Sequence, residues 1–340
     1  MNFKEYVELQ RSKVFSTILA YMPIKEPAEH YRIVRDYSER QGSYRRPGLL
    51  MLSGQMFGAS ADDLLLPGAA MQLSEDWILI HDDVEDNSEM RRGKAALHKL
   101  YGNEIAINAG DAAHMMMWQI LKDYILRAGL QKGNAIYNKF YEMLECTVEG
   151  QYLDTNFIYN IRNLRKASEA LYYSIIESKT CYYTVYGPMQ LGAMVAGQGS
   201  AMMDTIREIG SPAGRAFQIV DDILDMTADE KSFGKKRFGD LYEGKITLIM
   251  LHAYKNSTDA EKERIDSIFV KSRSQKSEED INFLREMVEK YRSLDYARET
   301  AERYGHIARQ TIDRNRSKLP NNEYTEVMLS AVEELYLRKK

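Results

Sequence analysis

Two clusters of aspartates, each set in a strongly helical segment, constrain the fold of this chain more than any other feature. The first reads DDVED from Asp82 to Asp86, and the second reads DDILD from Asp221 to Asp225. At about 100° per residue, Asp82 and Asp86 fall on one helix face, one turn apart, and the second cluster repeats the arrangement. Carboxylates at that spacing can share a hard divalent cation such as Mg²⁺. One such cluster is equally well interpreted as a solvated helix end, but two of them need a common explanation.

The rest of the chain is also predicted to be helical, because its 340 residues include only seven prolines and few alternating apolar–polar stretches. The predicted helices cover residues 2–20, 29–39, from 47, about 69–86, 134–157, 167–197, 245–255, 258–272, 278–293, 294–314 and 322–338. Three prolines are interpreted as helix boundaries: Pro67 before the first cluster, Pro188 within 167–197, and Pro212 next to an N-capping serine before the second cluster. The sequence has no linker rich in Pro, Gly or Ser and no internal repeat, so it predicts a single all-helical domain over residues 1–340.

Composition limits the classes of partner. The 46 basic and 50 acidic side chains give a formal charge of -4, which argues against a general nucleic-acid binder. Cys146 and Cys181 do not have metal-ligand spacing, and two cysteines fit a reducing compartment. No apolar run approaches the roughly 18 residues that span a bilayer, and the first residues start an amphipathic helix rather than a signal peptide. A cytoplasmic protein without a transmembrane segment is expected.

Facing acidic clusters would form a strongly negative site. Carboxylates about 4 Å apart repel by about 4 kcal/mol at an effective dielectric near 20, so several Mg²⁺ ions are expected there, and these would attract a polyanion such as a diphosphate. Basic residues that follow a motif or a flexible glycine are candidates for binding its phosphate oxygens. They are Arg91, Arg92, Lys179, Lys235 and Lys245. Each alone is an ordinary surface residue, but their occurrence with two aspartate clusters favours a diphosphate site.

In this order and spacing the motifs resemble those of the trans-isoprenyl diphosphate synthases, which condense isopentenyl diphosphate with an allylic diphosphate. The resemblance spans about residues 42–250. Besides the clusters, it rests on Arg91-Arg92-Gly93, Gly110-Asp111, Gly150-Gln151 with Asp154, Lys179-Thr180, Gly214, Phe217-Gln218, Gly234-Lys235 and the run Gly239 to Thr247. It implies an all-α fold, a single large helical bundle of the isoprenoid synthase type around a deep central cavity. It also implies a homodimer, for which the sequence itself offers only the apolar segment 167–197.

The resemblance also implies roles for the aspartates. Asp82, Asp86 and Asp221 should hold metal ions directly, whereas Asp83, Asp222 and Asp225 should assist or bind through water. Three Mg²⁺ ions per active site are expected, with Mn²⁺ as an alternative. The metal would neutralise charge on the departing diphosphate.

Polar side chains are implied to bind and polarise the two substrates. Arg91, Lys179, Lys235 and Gln218 should bind the allylic diphosphate, and Arg92 should face isopentenyl diphosphate. Thr180, Gln218 and the carbonyl of Lys179 should stabilise the allylic cation. The released diphosphate is the expected base, so no catalytic histidine is needed and His81 is interpreted as structural.

Two positions depart from the family pattern, which usually reads Gly-Lys-x-x-Arg-Pro near the first turn. Here Ser43 replaces the lysine, while Arg46 matches the second basic position. Glu75 stands where a His or Gln normally contacts isopentenyl diphosphate, two helical turns before Asp82. A bare carboxylate there would repel a diphosphate. We therefore expect Arg45 to replace the lysine, and Glu75 to pair with Arg45, Arg46 or Arg92.

Product length should depend on the residues upstream of the first cluster. Helix geometry puts Ile78 about 6 Å below Asp82, whereas Trp77 lies roughly 140° around the helix, so both core packing and a role as cavity floor remain open for Trp77. A large fifth residue upstream, with no insertion in the cluster, resembles short-chain synthases that make geranylgeranyl diphosphate. Farnesyl diphosphate is the alternative product.

Three other functions were compared with this one. Terpene cyclases usually replace the second cluster with an Asn/Ser/Glu pattern, which is absent here. A His-Asp phosphohydrolase needs further histidines at set positions, and the six in this chain do not have that arrangement. A weakly active or regulatory synthase subunit should have lost Asp or Lys positions, which are intact, although Ser43 and Glu75 leave this alternative open.

Overall fold

The computed structural model describes residues 1–227 and 237–336, and these form a bundle of helices. The α-helices are α1 (Phe3–Tyr21), α2 (Ala28–Glu39), α3 (Arg45–Met56), α4 (Ala61–Glu85), α5 (Leu97–Tyr101), α6 (Asn103–Ala128), α7 (Leu130–Asn156), α8 (Glu169–Ile176), α9 (Gly187–Val195), α10 (Ser200–Thr227), α11 (Gly239–Glu243), α12 (Leu248–Asn256), α13 (Asp259–Phe269), α14 (Glu278–Lys290), α15 (Ser293–Asn315) and α16 (Glu323–Tyr336). Among the described residues the β-structure is one antiparallel pair, β1 (Met90–Arg91) with β2 (Lys94–Ala95). The predicted all-α fold is confirmed.

Helix α4, which carries the first aspartate cluster, is longer than predicted. It begins at Ala61, where the Ser60 side chain accepts a hydrogen bond from the backbone N–H of Asp63, and it continues to Glu85. Pro67 lies inside it, so the predicted boundary at Pro67 is wrong. Proline in a helix interior costs about 3 kcal/mol. Burial of α4 from Pro67 to Trp77, largely against α6, outweighs that cost.

The helix boundary predicted at Pro212 in α10, which carries the second cluster, is also wrong. Pro212 was predicted to start α10, yet the helix runs through Pro212 from Ser200 to Thr227. The Ser211 hydroxyl donates to the carboxylate of Glu177 at 2.8 Å instead of capping a helix. Packing of α10 against α15 and against the segment after α8 keeps it continuous.

The predicted helix 167–197 contains a change of helix type rather than a break at Pro188. An α-helical stretch, α8, is followed by a π-helical segment over Glu177–Tyr186, and α9 then begins at Gly187. The π-helical segment is buried from Thr180 to Tyr186, and so is almost all of α9. This apolar stretch is therefore part of the protein core.

The two aspartate clusters lie at the C-terminal ends of α4 and α10. Residues of α4, α10, the π-helical segment, α7 and α3 together line one central cavity. Within the described part of the chain, no helix has both the length and the apolar character needed to cross a membrane.

Candidate active site

Two adjoining cavities share the side chains of Lys179, Thr180, Gln218 and Asp221. The acidic cavity measures about 360 Å³, and the main cavity measures about 570 Å³. The acidic cavity is lined by residues that include Asp154, Asp222, Asp225, Asp240 and Lys245. The main cavity is lined by residues that include Ser43, Arg45, Arg46, Glu75, Trp77, Ile78, Asp82 and Arg91. Most of the residues predicted from the sequence thus come together around one space.

The ends of the first cluster are paired with basic side chains. Asp82 lines the main cavity, with a carboxylate oxygen 3.8 Å from Lys179 Nζ and another 3.7 Å from Arg91 Nη2. Asp86 lies 3.1 Å from Lys245 Nζ. Burial raises the pKa of Asp86 to about 6, and Lys245 only partly opposes this. The neighbouring carboxylates Asp82 and Glu243 add to the rise in the pKa of Asp86.

Asp83 does not join the cavity. It is fully buried and accepts a hydrogen bond of 2.6 Å from Tyr37 Oη. It also accepts hydrogen bonds from Arg91 Nε at 3.0 Å and from Arg91 Nη2. Burial by itself would lower the pKa of Arg91, but Asp83 and Asp82 raise it. Asp83, which was predicted to assist the metal ligands, is thus turned away from the cavity and instead orients Arg91.

The second cluster lies opposite, on α10. Asp221 lines both cavities, and Asp225 lines the acidic one, where it accepts a hydrogen bond of 3.2 Å from the backbone N–H of Asp240. Asp222 accepts hydrogen bonds from Gln218 Nε2 at 2.8 Å and from Tyr172 Oη at 2.9 Å. Burial raises the pKa of Asp222 to about 7.

The π-helical segment contributes Lys179 and Thr180 between the two clusters. Lys179 Nζ lies 2.8 Å from Asp154 Oδ2, and Thr180 Oγ1 donates to Gln218 Oε1 at 2.8 Å. Burial by itself would lower the pKa of Lys179, but Asp154 and Asp82 raise it above its ordinary value. The Lys179 amine is therefore protonated and held in place by Asp154.

Two glycines allow α7 and α10 to lie close to the π-helical segment. A Cβ at Gly150 on α7 would lie 2.8 Å from the Lys179 backbone nitrogen, and one at Gly214 on α10 would lie 2.7 Å from Cys181 Cα. One turn after each glycine, Asp154 and Gln218 reach the π-helical segment. Asp154 is not assigned to the site from sequence alone; its position one turn after Gly150 is the signal that identifies it.

Lys245 follows α11 and joins the clusters. Its ammonium lies 2.7 Å from Glu243, 3.1 Å from Asp86 and 4.0 Å from Asp240. Burial alone would lower the pKa of Lys245, but Asp86 and Glu243 raise it well above its ordinary value. Asp240 and Glu243 were not assigned to the site from sequence. The predicted Lys235 lies outside the described residues.

The region that departs from the family pattern is an ion cluster. Glu75 Oε1 lies 3.1 Å from Arg46 Nη1 and 3.6 Å from Arg92 Nη2, so the expected pairing of Glu75 is present with these two arginines. Burial by itself would raise the pKa of Glu75, but Arg46 and Arg92 lower it. Ser43 and Arg45 line the main cavity nearby.

Arg92 does not line either cavity. Its guanidinium donates to Asp76 Oδ1 at 2.8 Å and to the carbonyl of Tyr37. Arg92 and Gly93 form the turn of the β1–β2 hairpin, with φ of 51° and 76°. Arg91 contacts the first cluster and Arg92 the Glu75 cluster, so the hairpin separates two arginines that are adjacent in sequence.

Trp77 and Ile78 line the main cavity below Asp82. Trp77 is 9% exposed and belongs to the hydrophobic core, so the two interpretations left open by the sequence are compatible. His81 also lines the main cavity, and its Nε2 lies 3.2 Å from the carbonyl oxygen of Ile107 and 3.6 Å from Asp111 Oδ1, so its structural role stays a prediction.

The donor set around the cavities fits divalent metal ions. Carboxylate oxygens are the ligands that Mg²⁺ prefers, and Asp82, Asp221 and Asp225 present them to the cavities. Among residues 1–227 and 237–336, no three carboxylate, His or Cys side chains lie close enough together to hold an ion alone. Oxygens of a phosphate-bearing substrate are the natural remaining ligands.

The known proteins that this chain resembles in sequence and in fold are prenyl diphosphate synthases. The family model described as polyprenyl synthetase matches residues 27–288. A geranylgeranyl diphosphate synthase of Sulfolobus acidocaldarius is 33% identical over 281 residues, which is 82% of each chain. A geranylfarnesyl diphosphate synthase of Aeropyrum pernix is 31% identical over 278 residues, 80% of this chain and 83% of that one. The crystal structure of a geranylgeranyl pyrophosphate synthetase from Pyrococcus horikoshii superposes with a TM-score of 0.84 at 26% identity, covering 99% of this chain and 98% of that one.

Proposed function

The chain belongs to the polyprenyl synthetase family and is a short-chain trans-prenyltransferase. We propose that it condenses isopentenyl diphosphate with an allylic diphosphate and that its product is geranylgeranyl diphosphate. The observation that carries the proposal is that Asp82 and Asp221 lie on one cavity that Trp77 and Ile78 also line. Charged groups suit a metal–diphosphate complex, and the apolar residues suit a growing hydrocarbon chain.

Divalent ions would be held by Asp82, Asp86 and Asp221, with Asp222 and Asp225 assisting, while Asp83 acts by orienting Arg91. When bound, they neutralise the charge that develops on the leaving diphosphate. We propose Mg²⁺, three ions per site, with Mn²⁺ as an alternative. Support comes from the all-oxygen donor set and from burial of Asp222 and Asp225.

The basic side chains bind the allylic diphosphate, and polar groups stabilise the cation. Arg91, Lys179, Lys235 and Lys245 bind the phosphate oxygens, which favours breakage of the carbon–oxygen bond with its electron pair on the diphosphate. Thr180, Gln218 and the carbonyl of Lys179 present negative dipole ends to the allylic cation. The double bond of isopentenyl diphosphate then forms the new carbon–carbon bond, and the released diphosphate takes the proton.

Isopentenyl diphosphate is bound by the side of the main cavity that departs from the family pattern. Ser43, Arg45 and Arg46 contact its diphosphate, and Arg92 contributes indirectly by sharing Glu75 with Arg46. The support is that Arg46 reaches Thr184 Oγ1 at 2.9 Å on the π-helical segment, and so lies beside the cation-stabilising residues.

The chain length of the product is the most specific part of the proposal. Relatives at 33% and 31% identity are named for different products, so overall similarity does not determine chain length. Trp77 is buried and lines the cavity, which supports a floor that limits growth, and we propose that the floor stops the product at twenty carbons. Farnesyl diphosphate remains the shorter alternative.

We also propose a cytoplasmic homodimer. Both cysteines, Cys146 and Cys181, are free, as a reducing compartment favours. Residues 180–195 of the apolar segment are almost all buried, so they do not provide the interface. Exposed apolar side chains on α6 and α7 support an interface there: Ile107, Met115, Tyr141, Val148 and Tyr152.

The test is incubation with labelled isopentenyl diphosphate, Mg²⁺ and each of the C5, C10 and C15 allylic primers. Chromatography of the dephosphorylated products reads activity, primer and chain length together. The expected result is a C20 product that disappears on chelation and returns with Mg²⁺. Lack of elongation with every primer would contradict the enzyme function and favour a regulatory subunit, and a C15 product would favour farnesyl diphosphate.

A further inference from the structure

A row of aromatic rings extends from the main cavity into the space between α6 and α7. The ring centroids of Trp77 and His114 are 4.5 Å apart with planes at 35°. Those of His114 and Trp118 are 5.9 Å apart, and those of Trp118 and Tyr137 are 4.9 Å apart. His114 and Trp118 stand one turn apart on α6, and Tyr137 lies on α7.

Within the described part of the chain, the Trp77 indole is held by packing alone. Its Nε1 is buried without a hydrogen-bond partner there. The only ring contacts in those residues are with His114 and, edge to face at 5.7 Å, with His81. A large ring without a polar anchor takes the orientation that its neighbours allow. The neighbours of Trp77 therefore decide where its edge meets the cavity.

His114 is itself fixed by a hydrogen bond. Trp118 Nε1 donates to His114 Nε2 at 2.7 Å, which requires a lone pair on that nitrogen and a neutral imidazole. Burial lowers the pKa of His114, in agreement with this state. The bond sets the plane of the imidazole, and the imidazole in turn faces the Trp77 ring.

We propose that His114 is a positioning residue for product length: with Trp118 behind it, it holds the Trp77 indole as the floor of the main cavity. This inference rests on the proposed function. His114 does not line the cavity, so it acts only through Trp77. Removal of its ring gives the indole space to turn away from the cavity, and the product then grows further before its end meets an obstacle.

The test compares His114→Ala, Trp77→Ala and the double variant with the wild-type chain. We expect each single variant to lengthen the main product by at least one C5 unit, and the double variant to match Trp77→Ala, because residues that act in series are not additive. His114→Phe keeps a ring behind Trp77 and should retain the wild-type length, whereas His114→Gln, an alternative if the alanine variant does not fold, should lengthen it. An unchanged product in His114→Ala, or a further increase in the double variant, would overturn the role of His114.

Fluorescence supplies a readout that needs no activity. Trp77 and Trp118 are the two tryptophans of the chain, so Trp118→Phe leaves Trp77 as the single indole. Because Trp118→Phe also removes the hydrogen bond that sets the plane of His114, the reference is Trp118→Phe with His114→Phe, which keeps a ring behind Trp77. Compared with that reference, Trp118→Phe with His114→Ala should show an added nanosecond decay in the time-resolved anisotropy of Trp77. An unchanged decay would contradict the proposal. A wild-type chain that elongates no primer overturns the proposed function, whereas elongation with an unchanged His114→Ala product overturns only the role of His114.

Discussion

At the scale of single residues, Glu75 departs most from the pattern that the motifs otherwise follow. It is 6% exposed and faces the side of the cavity where a diphosphate is proposed to bind. A buried carboxylate is tolerated when it is paired, and Arg46 and Arg92 provide that pairing, with Asp76 as a further partner for Arg92. The charges alternate, so each arginine is positioned by an acid.

This pairing leads to a prediction for the double variant Ser43→Lys with Glu75→His, which restores the usual family residues. We expect the KM for isopentenyl diphosphate to stay similar or to rise, because Arg46 and Arg92 lose the carboxylate that positions them. Steady-state kinetics at saturating allylic primer measure this, with Ser43→Lys alone as the control. A large fall in KM would show instead that the natural site is impaired.

Asp154 gives a second prediction at this scale. Its carboxylate is the nearest acid to Lys179, at 2.8 Å, so Asp154→Asn should let the amine move toward Asp82. We expect a rise in KM for the allylic primer and a loss of kcat up to about 100-fold, the scale of a 1 Å misplacement. The matched control is Asp266→Asn, which removes an ion pair of the same length with the largely exposed Arg165. Kinetics unchanged from wild type would rule out a positioning role for Asp154.

At the scale of elements, the approach of α3 to α9 holds one wall of the site. A Cβ at Gly192 would lie 2.0 Å from the carbonyl oxygen of Leu50 and 2.8 Å from the backbone nitrogen of Gly54. Both are backbone atoms, so the helices must separate to accept it. Because α3 begins with Arg45 and Arg46, the separation would also move the proposed isopentenyl diphosphate site.

Gly192→Ala should therefore lower the free energy of unfolding by about 1–3 kcal/mol, the usual range for overpacking, and raise the KM for isopentenyl diphosphate more than that for the allylic primer. Gly199→Ala is the control, since a Cβ there meets nothing within 4 Å, and it should change stability by less than about 0.5 kcal/mol. Denaturant unfolding and steady-state kinetics measure the two effects. Equal stability of the two variants would contradict the packing argument.

The same elements show what the sequence could predict. Helix type followed from apolar periodicity, which is local. Pro67 and Pro212 were misread as boundaries because local preference disfavours proline inside a helix, whereas packing against distant elements keeps α4 and α10 continuous. The π-helical segment that bears Lys179 also depends on its neighbours, and no short pattern in the sequence indicates it.

At the scale of the whole molecule, the site shows the same difference between local sequence features, which are predictable, and contacts that depend on packing, which are not. The residues that meet at the cavity were predictable because motifs with one chemistry recur along the chain. The contacts of Asp83 with Tyr37 and of Arg92 with Asp76 were not, because these side chains meet only after α2, α4 and the β1–β2 hairpin have packed. Sequence thus identified the groups that line the cavities better than the groups that orient them.

The surface of the molecule carries the last prediction, which concerns assembly. Tyr141, Val148 and Tyr152 recur on one stripe of α7, and Met115 is 69% exposed on α6, which packs beside it. Large apolar side chains in such a stripe are expected to be covered by a partner.

The double variant Met115→Glu with Tyr152→Glu should therefore convert the protein from a dimer to a monomer, because two carboxylates per subunit would lose hydration in the interface. Leu9→Glu is the control, since Leu9 is 64% exposed on α1 rather than on α6 or α7, and it should leave the dimer intact. Light scattering coupled to size-exclusion chromatography gives the mass of each variant. Loss of the dimer in the control as well would mean that the assembly uses another surface, and a monomeric wild-type protein would remove the proposed homodimer altogether. Val148 is 58% exposed on the same stripe and also lines the main cavity, so the monomeric variant is further expected to give a broader range of product lengths.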